Sequence, residues 1–509
     1  VSLLENILNV KRTAALLLVM TALLGSPGFA ETPNIVLILA DDMGYGDVRA
    51  LNPASKIPTP NLDQFAASGM TFTDAHSPSA VCTPTRYGLL TGRYCWRSPL
   101  KKGVLGGYSP PLIDRQRSTI GTMLQKAGYK TGAVGKWHLG MTLPLRKKNA
   151  NTKQWDGDPG IDFGGVITDS PIHHGFDYYF GVSASLDMAP YVYVRNDRYT
   201  MLPTIQQKAV KFPHFVRKGP RATDFVIDKV LDRLTEEATR FIDESAKSDK
   251  PFFLYRPLTG PHKPTQPHAR FKGKTELSEY GDFVHQVDWT VGEILKSLET
   301  AQVADNTLVI LTSDNGSYMR RFDEADKQDH TDDDAIQGFR ATNHKANGIL
   351  RGTKADIWEA GHRVPTFARW PGQLEAGSKL NATICLTDVY ATLAEITEQK
   401  LTNDEAEDSV SLLPIVNGDR TSRGVPVIHH SVRGMFAIRD GDWKMVAGNG
   451  SGGREAPRGT PDTKPFSLFN LKSDPSEKND VANANPELVE QLSKTLTELR
   501  KGGRSVSRE

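Results

Sequence analysis

The chain has 509 residues, 38% of them hydrophobic and 24% charged, with a formal net charge of +2. That length exceeds one ordinary core, so two domains of a water-soluble globular type are expected. The small charge argues against nucleic acid or a membrane surface as partner, and three cysteines (Cys82, Cys95 and Cys385) exclude a disulfide framework.

At the N-terminus, Lys11-Arg12 precede an apolar run over 14–24 and then Gly28-Phe29-Ala30. This is the pattern of a secretory signal peptide spanning 1–30 and cut after Ala30. The run is short for a bilayer and no later segment does better, so no membrane span is predicted. With no lipid-anchoring Cys near the cut, a periplasmic or secreted product is expected.

Residues 34–40 form a short β-branched apolar run, read as a buried strand that ends in Asp41-Asp42. Thr59-Pro60 opens a helix with Leu62, Phe65 and Ala66 inward and Gly69 as its stop. A helix over 120–127 leads into a strand from Lys130 to Val134, and a helix over 222–247 into a strand over 251–255. A third helix, 279–301, feeds a strand over 307–312 that ends in Ser313-Asp314-Asn315-Gly316. Such alternation implies an α/β fold, a large, mainly parallel mixed sheet sandwiched by helices, with ligands beyond the strands' carboxyl ends. From about residue 415 the pattern changes to short strands (425–430, 435–439, 443–446, 467–471) and a closing helix over 486–499. The expected domains are therefore 31–414 and a smaller antiparallel-sheet α+β unit, 415–509. Within the latter, 448–464 reads as a mobile loop and 501–509 as disordered.

Two adjacent carboxylates at a core strand's end repel each other unless a cation holds them. Asp41-Asp42 and Asp314-Asn315 thus point to a hard, oxygen-loving metal such as Ca²⁺ or Mg²⁺. Either pair alone is more often a cap or an Asx-turn; two such ends favour a metal. In Cys82-Thr-Pro-Thr-Arg86, Pro84 restrains the backbone just after a thiol, and Arg86 sets a permanent cation one helical turn beyond it. Lys136 and His138 lie two apart, on one side of an extended chain. Pro261-His262-Lys263-Pro264 and Arg351-Gly-Thr-Lys354 add further basic groups. Each Lys or His alone reads as a solvated or hydrogen-bonded surface residue.

In this order the pieces resemble the type I, formylglycine-dependent sulfatases of the alkaline phosphatase superfamily, from about Pro33 to the C-terminal region. The resemblance implies that Cys82 is oxidised to formylglycine by a formylglycine-generating or anaerobic sulfatase-maturing enzyme. The hydrated aldehyde then attacks a sulfate ester, and its second hydroxyl later expels sulfate. Asp41, Asp42, Asp314 and Asn315, with residue 82, would hold Ca²⁺. Arg86, Lys136 and Lys354 would meet the charge on the sulfuryl oxygens. His262, with Lys354 sharing the work, would protonate the departing alcohol, and His138 would take the diol proton. Ser185 matches a serine that hydrogen-bonds the sulfate or the diol. With Cys82 modified, Cys95 and Cys385 would be left either to pair or to stay free.

An exported member of this family implies a sulfated carbohydrate substrate, with galactose or N-acetylgalactosamine 6-sulfate as the choice. Pocket candidates are His173-His174, Asp187, Tyr191, His344, His429-His430 and the charged insertion 320–334. The insertion reads as a lid or as a solvated loop. His430 either reaches a sugar hydroxyl or packs a domain interface with His429. Two rival functions are a phosphatase or phosphodiesterase on the same fold and a noncatalytic glycan-binding relative. The intact Cys-Thr-Pro-Thr-Arg argues against the first. The second describes a chain whose Cys82 stays unmodified.

Overall fold

Asn34–Asp41 runs through the centre of the main sheet because both of its faces are apolar. All eight residues are buried, with parallel partners on both edges. Each Ile or Leu buried there contributes about 1.5–3 kcal/mol. The structure, a computed structural model, describes residues 32–146, 151–211, 214–319 and 344–508. The predicted signal peptide and the 320–334 insertion lie outside those residues.

Ten strands form the main sheet, in the order Ser378–Leu380, Met70–Phe72, Thr366–Arg369, Thr307–Ser313, Asn34–Asp41, Phe252–Pro261, Lys130–Lys136, Tyr178–Val182, Val194–Arg195, Arg198–Tyr199. The five consecutive strands from Thr307–Ser313 to Tyr178–Val182 are parallel, and antiparallel pairings begin on either side. This is the α/β class expected, with a parallel centre and mixed margins.

Helices Val230–Ser245 and Ser278–Thr300 pack against each other and against Phe252–Pro261. Asp288 on the second accepts from the backbone N–H of Asn61 (3.3 Å) and Leu62 (2.8 Å), supplying the N-terminal cap of helix Pro60–Ala67. The helix predicted from residue 222 begins regularly only at Val230. Ala222 N–H instead bonds the Tyr191 carbonyl, Phe225 packs on Tyr191 and Tyr193, and Val226 is exposed. Tertiary contacts therefore hold the first residues of that apolar pattern outside the helix.

A separate four-stranded antiparallel sheet comprises Val427–His430, Phe436–Asp440, Trp443–Ala447 and Ser467–Asn470. Helix Pro486–Lys501 covers one face, placing Leu492 and Leu496 against Ile428, Ile438, Met445 and Leu468. The other face packs Ala437, Val446 and Phe469 on Ile357 and Trp358.

Two expectations are corrected here. The 448–464 segment is pinned rather than loose: Ile357 N–H bonds the Ser451 carbonyl (2.8 Å), and Gly452 N–H the Arg458 carbonyl (2.8 Å). The tail is tied down as well, with Ser505 N–H on the Glu407 carbonyl (3.0 Å) and Ser505 Oγ on Asp408 Oδ1 (2.6 Å). Composition marked both segments as polar, but their backbone groups find partners on neighbouring loops. Cys95 and Cys385 are buried free thiols. Among the described residues no helix is long and apolar enough to cross a membrane.

Candidate active site

Parallel register builds the site. Ala40 pairs with Ser313, so the residues that follow, Asp41-Asp42 and Asp314-Asn315, leave the sheet side by side. Asp42 takes φ 68°, a left-handed conformation that aspartate tolerates better than most side chains. Its N–H donates to Asp314 Oδ1 at 3.2 Å. Gly316 is required at the turn beyond, because a Cβ there would lie 1.7 Å from the Ala360 carbonyl oxygen.

Cys82 opens helix Cys82–Thr91, preceded by extended Val81 and ended by left-handed Gly92. Pro84 sits in the first turn, where a missing N–H costs little. All ten residues of this helix are buried. One turn on, Arg86 directs Nε (3.0 Å) and Nη2 (2.7 Å) to Asp314 Oδ2 and Nη1 (3.0 Å) to the Lys136 carbonyl. Lys136, the last residue of its strand, donates through Nζ to Asp41 Oδ2 at 2.6 Å. Lys354 Nζ reaches Asp42 Oδ1 (2.6 Å) and Oδ2 (2.8 Å) and lies 3.4 Å from Cys82 Sγ. The thiol itself points at Asp41 Oδ1, 3.4 Å away. His262 Nε2 stands 3.6 Å from Asp42 Oδ2, and its Nδ1 bonds the Lys263 carbonyl.

Nine of the predicted residues thus form one connected buried cluster: Asp41, Asp42, Cys82, Arg86, Lys136, His262, Asp314, Asn315 and Lys354. His138 leaves the strand with φ 57°, holds the Leu105 carbonyl with Nε2 at 2.8 Å, and keeps a buried, unbonded Nδ1. It feels the charges of Lys136, Arg86 and Lys354 without bonding to them. Ser185 Oγ is buried and unbonded, and nothing joins it to the cluster among the described residues. The His430 ring packs on Phe436, and its carbonyl accepts from Ser79 Oγ (2.9 Å) and Ala80 N–H (3.0 Å) just before Cys82. Of the other candidates, His344 bonds Asp47 Oδ1 (2.8 Å), His174 bonds Asp169 (2.7 Å), and Tyr191 Oη bonds the Arg217 carbonyl (2.7 Å).

Burial dominates the electrostatics. It pushes the Cys82 thiol far up, with Asp314 adding to the rise, and lifts Asp41 to about 7 against the pull of Lys136. Burial and then the neighbouring lysines hold His138 and His262 well below the usual imidazole range. At Asp314 burial works upward, but Arg86, Lys136 and Lys354 together outweigh it and keep the carboxyl low.

The donor set suits a hard cation. Asp41, Asp42, Cys82 and His262 present ligand atoms within 4.8 Å of one another. Asn315 donates Nδ2 to Asp42 Oδ1 at 2.7 Å while its Oδ1 stays buried without a donor, the state of an oxygen suited to a metal.

Lys263, next to His262, is among the basic groups that the sequence marks, whereas Arg217 and Arg454 carry no local signal linking them to this region.

A parallel sheet that gathers a buried nucleophile position, three carboxylates and three permanent cations beyond its strand ends defines a hydrolase of anionic esters. Comparison with known proteins gives the family. The Sulfatase family model matches residues 33–399. An N-acetylgalactosamine-6-O-sulfatase of Bacteroides thetaiotaomicron is 34% identical, over 92% of this chain and 94% of that one. Arylsulfatase A of Homo sapiens is 29% identical over 93% and 89%. A solved 6S-sulfatase structure from Bacteroides thetaiotaomicron, reported with the metabolism of multiple glycosaminoglycans, superposes with a TM-score of 0.79 at 32% identity, covering 92% and 100%. The chain belongs to the sulfatase family and is a sulfuric ester hydrolase.

Proposed function

We propose that this chain is an exported carbohydrate sulfatase that removes a 6-sulfate from galactose or N-acetylgalactosamine, using formylglycine at position 82 and Ca²⁺. One observation carries the reading: Cys82 Sγ lies 3.4 Å from both Asp41 Oδ1 and Lys354 Nζ, between an oxygen cradle and a cation. The sugar rests on similarity to the N-acetylgalactosamine-6-O-sulfatase at 34% identity. Export, after loss of residues 1–30, rests on the N-terminal sequence.

A buried thiol pushed above its ordinary range is a poor nucleophile, which fits residue 82 as a precursor to be modified by a maturation enzyme. Asp41, Asp42, Asp314 and Asn315 would hold the cation. When present, the hydrated formylglycine would supply the attacking hydroxyl, and Ca²⁺ would supply the positive charge that acidifies it. Arg86, braced by Asp314, keeps the helix start against the strand ends. Lys136 and Lys354, freed from Asp41 and Asp42 when a metal takes those carboxylates, neutralise the sulfuryl oxygens. Neutral His138, its Nε2 on Leu105, has Nδ1 available to accept a proton from residue 82. Lys354, which burial beside Asp42 leaves charged, would deliver one to the departing sugar oxygen, with His262 sharing that work once it is protonated. Ser185 would bind the sulfate and His430 the sugar.

The test is inorganic sulfate release from a panel of sulfated sugars with matched phosphate esters, after co-expression with a formylglycine-generating system. Hydrazide labelling, lost in Cys82→Ala, reports the aldehyde. Sulfate release that tracks the label supports the reading, with the preferred sugar naming the pocket. Phosphate release alone would overturn it.

A further inference from the structure

Arg256 interrupts the apolar strand Phe252–Pro261 and is 0% exposed. Its Nη1 donates to the Val134 carbonyl at 3.0 Å and its Nη2 to Thr235 Oγ1 at 3.3 Å, while Nε is buried with no hydrogen bond among the described residues. Thr235 lies on helix Val230–Ser245 and itself donates to the Leu231 carbonyl at 2.7 Å. Thr290 Oγ1, on helix Ser278–Thr300, stands 3.4 Å from Thr235 Oγ1 and adds a hydroxyl nearby. Every group bonded to this guanidinium among the described residues is therefore neutral.

The other buried cations among the described residues are not left so. Arg86, Lys136, Lys354, Arg423, Arg439 and Lys444 each meet a carboxylate at 3.3 Å or less. Arg256 meets none among the described residues. Burial presses its guanidinium down only to about 9, so it stays charged at neutral pH. Buried charges are as a rule paired, because an ion taken out of water without a counter-charge is strongly destabilising. A water molecule would satisfy the Nε–H but leave the charge uncompensated. An enclosed guanidinium with hydroxyls beside it suits a small, singly charged anion better than a sulfate or an organic acid.

We infer that Arg256 is the base of an internal halide site, which holds a chloride ion against Nε between the sheet and the Thr235–Thr290 contact. The site lies outside the proposed chemistry, and no step of the reaction passes through it. It is tied to the reacting groups through the sheet. The Val134 carbonyl belongs to the strand that ends in Lys136, and Arg256 belongs to the strand that leads to His262. The bound anion therefore stabilises the two strands that present those side chains.

Bromide, a halide with a strong anomalous X-ray signal, is the structural probe. Crystals of the protein grown in sodium bromide should show an anomalous peak against the Arg256 guanidinium. In solution the melting temperature should be about 2–4 °C higher in sodium chloride than in sodium gluconate at equal ionic strength, as for a ligand that binds only the folded chain. Arg256→Met keeps much of the bulk and drops the charge, so it should fold and lose the difference between the two salts. Equal melting temperatures of the parent chain in the two salts overturn the site. So does the same difference persisting in Arg256→Met, or a bromide map with no peak at Arg256. If the variant fails to fold, the bromide map and the salt comparison on the parent chain decide. Sulfate release enters neither measurement, so loss of the halide site leaves the proposed reaction standing.

Discussion

Two buried polar clusters lie in this molecule, and they solve the same problem in opposite ways. At the proposed reaction centre Asp41, Asp42 and Asp314 face Arg86, Lys136 and Lys354, so full charges are matched pairwise. Beneath the C-terminal sheet, His76, His429 and His362 stack with ring centres 4.9 and 4.2 Å apart. Asp74 accepts from His76 Nε2 at 2.9 Å, which leaves His76 Nδ1 to accept from His429 Nε2 at 3.1 Å. Burial holds His362 and His429 far below the usual imidazole range, so both rings stay neutral. Full charges stand at its edges, where Asp74 pairs with Arg439 (3.3 Å) and Arg363 (3.4 Å) and Lys444 bridges Glu359 (3.1 Å) and Glu477 (2.9 Å). The atoms left over at the first cluster, Asn315 Oδ1 and Cys82 Sγ, converge on ligand chemistry. His76, Glu359 and His429 also lie within 4.8 Å of one another, but the Lys444 ammonium already meets that carboxylate. Charge matched in pairs can be redistributed when a substrate arrives; neutral rings stacked between layers hold the layers together.

The comparison breaks most sharply at residue 82. Cys82→Ala should lower sulfate release by about 10⁴-fold or more while leaving the melting temperature almost unchanged. A variant retaining a tenth of the activity would remove the nucleophile position from the reaction centre. Calcium chelation should come next, cutting turnover by about 10²–10³-fold and lowering the melting temperature, since a ligand that binds only the folded chain is withdrawn. Restored calcium should recover both readings. In the second cluster Lys444→Met should cost about 3–5 kcal/mol in denaturant titrations, because Glu359 and Glu477 lose the ammonium that bridges them. The folded fraction should keep its KM.

The smallest effect is a pH dependence. Burial, then Arg500, lowers His430 to about 4. Between 6.5 and 4 the unfolded chain binds this proton and the folded one does not. The contribution is therefore complete above pH 6.5 and falls away as pH drops toward 4, by about 3 kcal/mol in all. His430→Leu should flatten that part of a stability–pH curve; an unchanged slope would show that other groups set it.

The buried cluster proposed as the reaction centre was legible because its residues sit at the ends of continuous apolar runs or in tight motifs, both local signals. Asp41-Asp42, Cys82 to Arg86 and Asp314-Asn315 could be found without knowing the fold, and the parallel sheet followed from the same runs. What escaped depended on distant partners. Ala222 and Phe225 follow Tyr191 and Tyr193 instead of their own helical period, and the 448–464 loop is ordered by Asp356 and Ile357.

The ten buried residues of helix Cys82–Thr91 impose an order of events. A folded molecule can offer that first side chain to a sulfate group, but it cannot offer a maturation enzyme an extended peptide to grip. Ser79 and Ala80, just upstream, are clasped by the His430 carbonyl, which is made nearly 350 residues later than Cys82 during synthesis. Any enzyme that rewrites residue 82 through its flanking backbone must therefore act early, on a nascent or unfolded chain, before the last strands arrive to close the clasp.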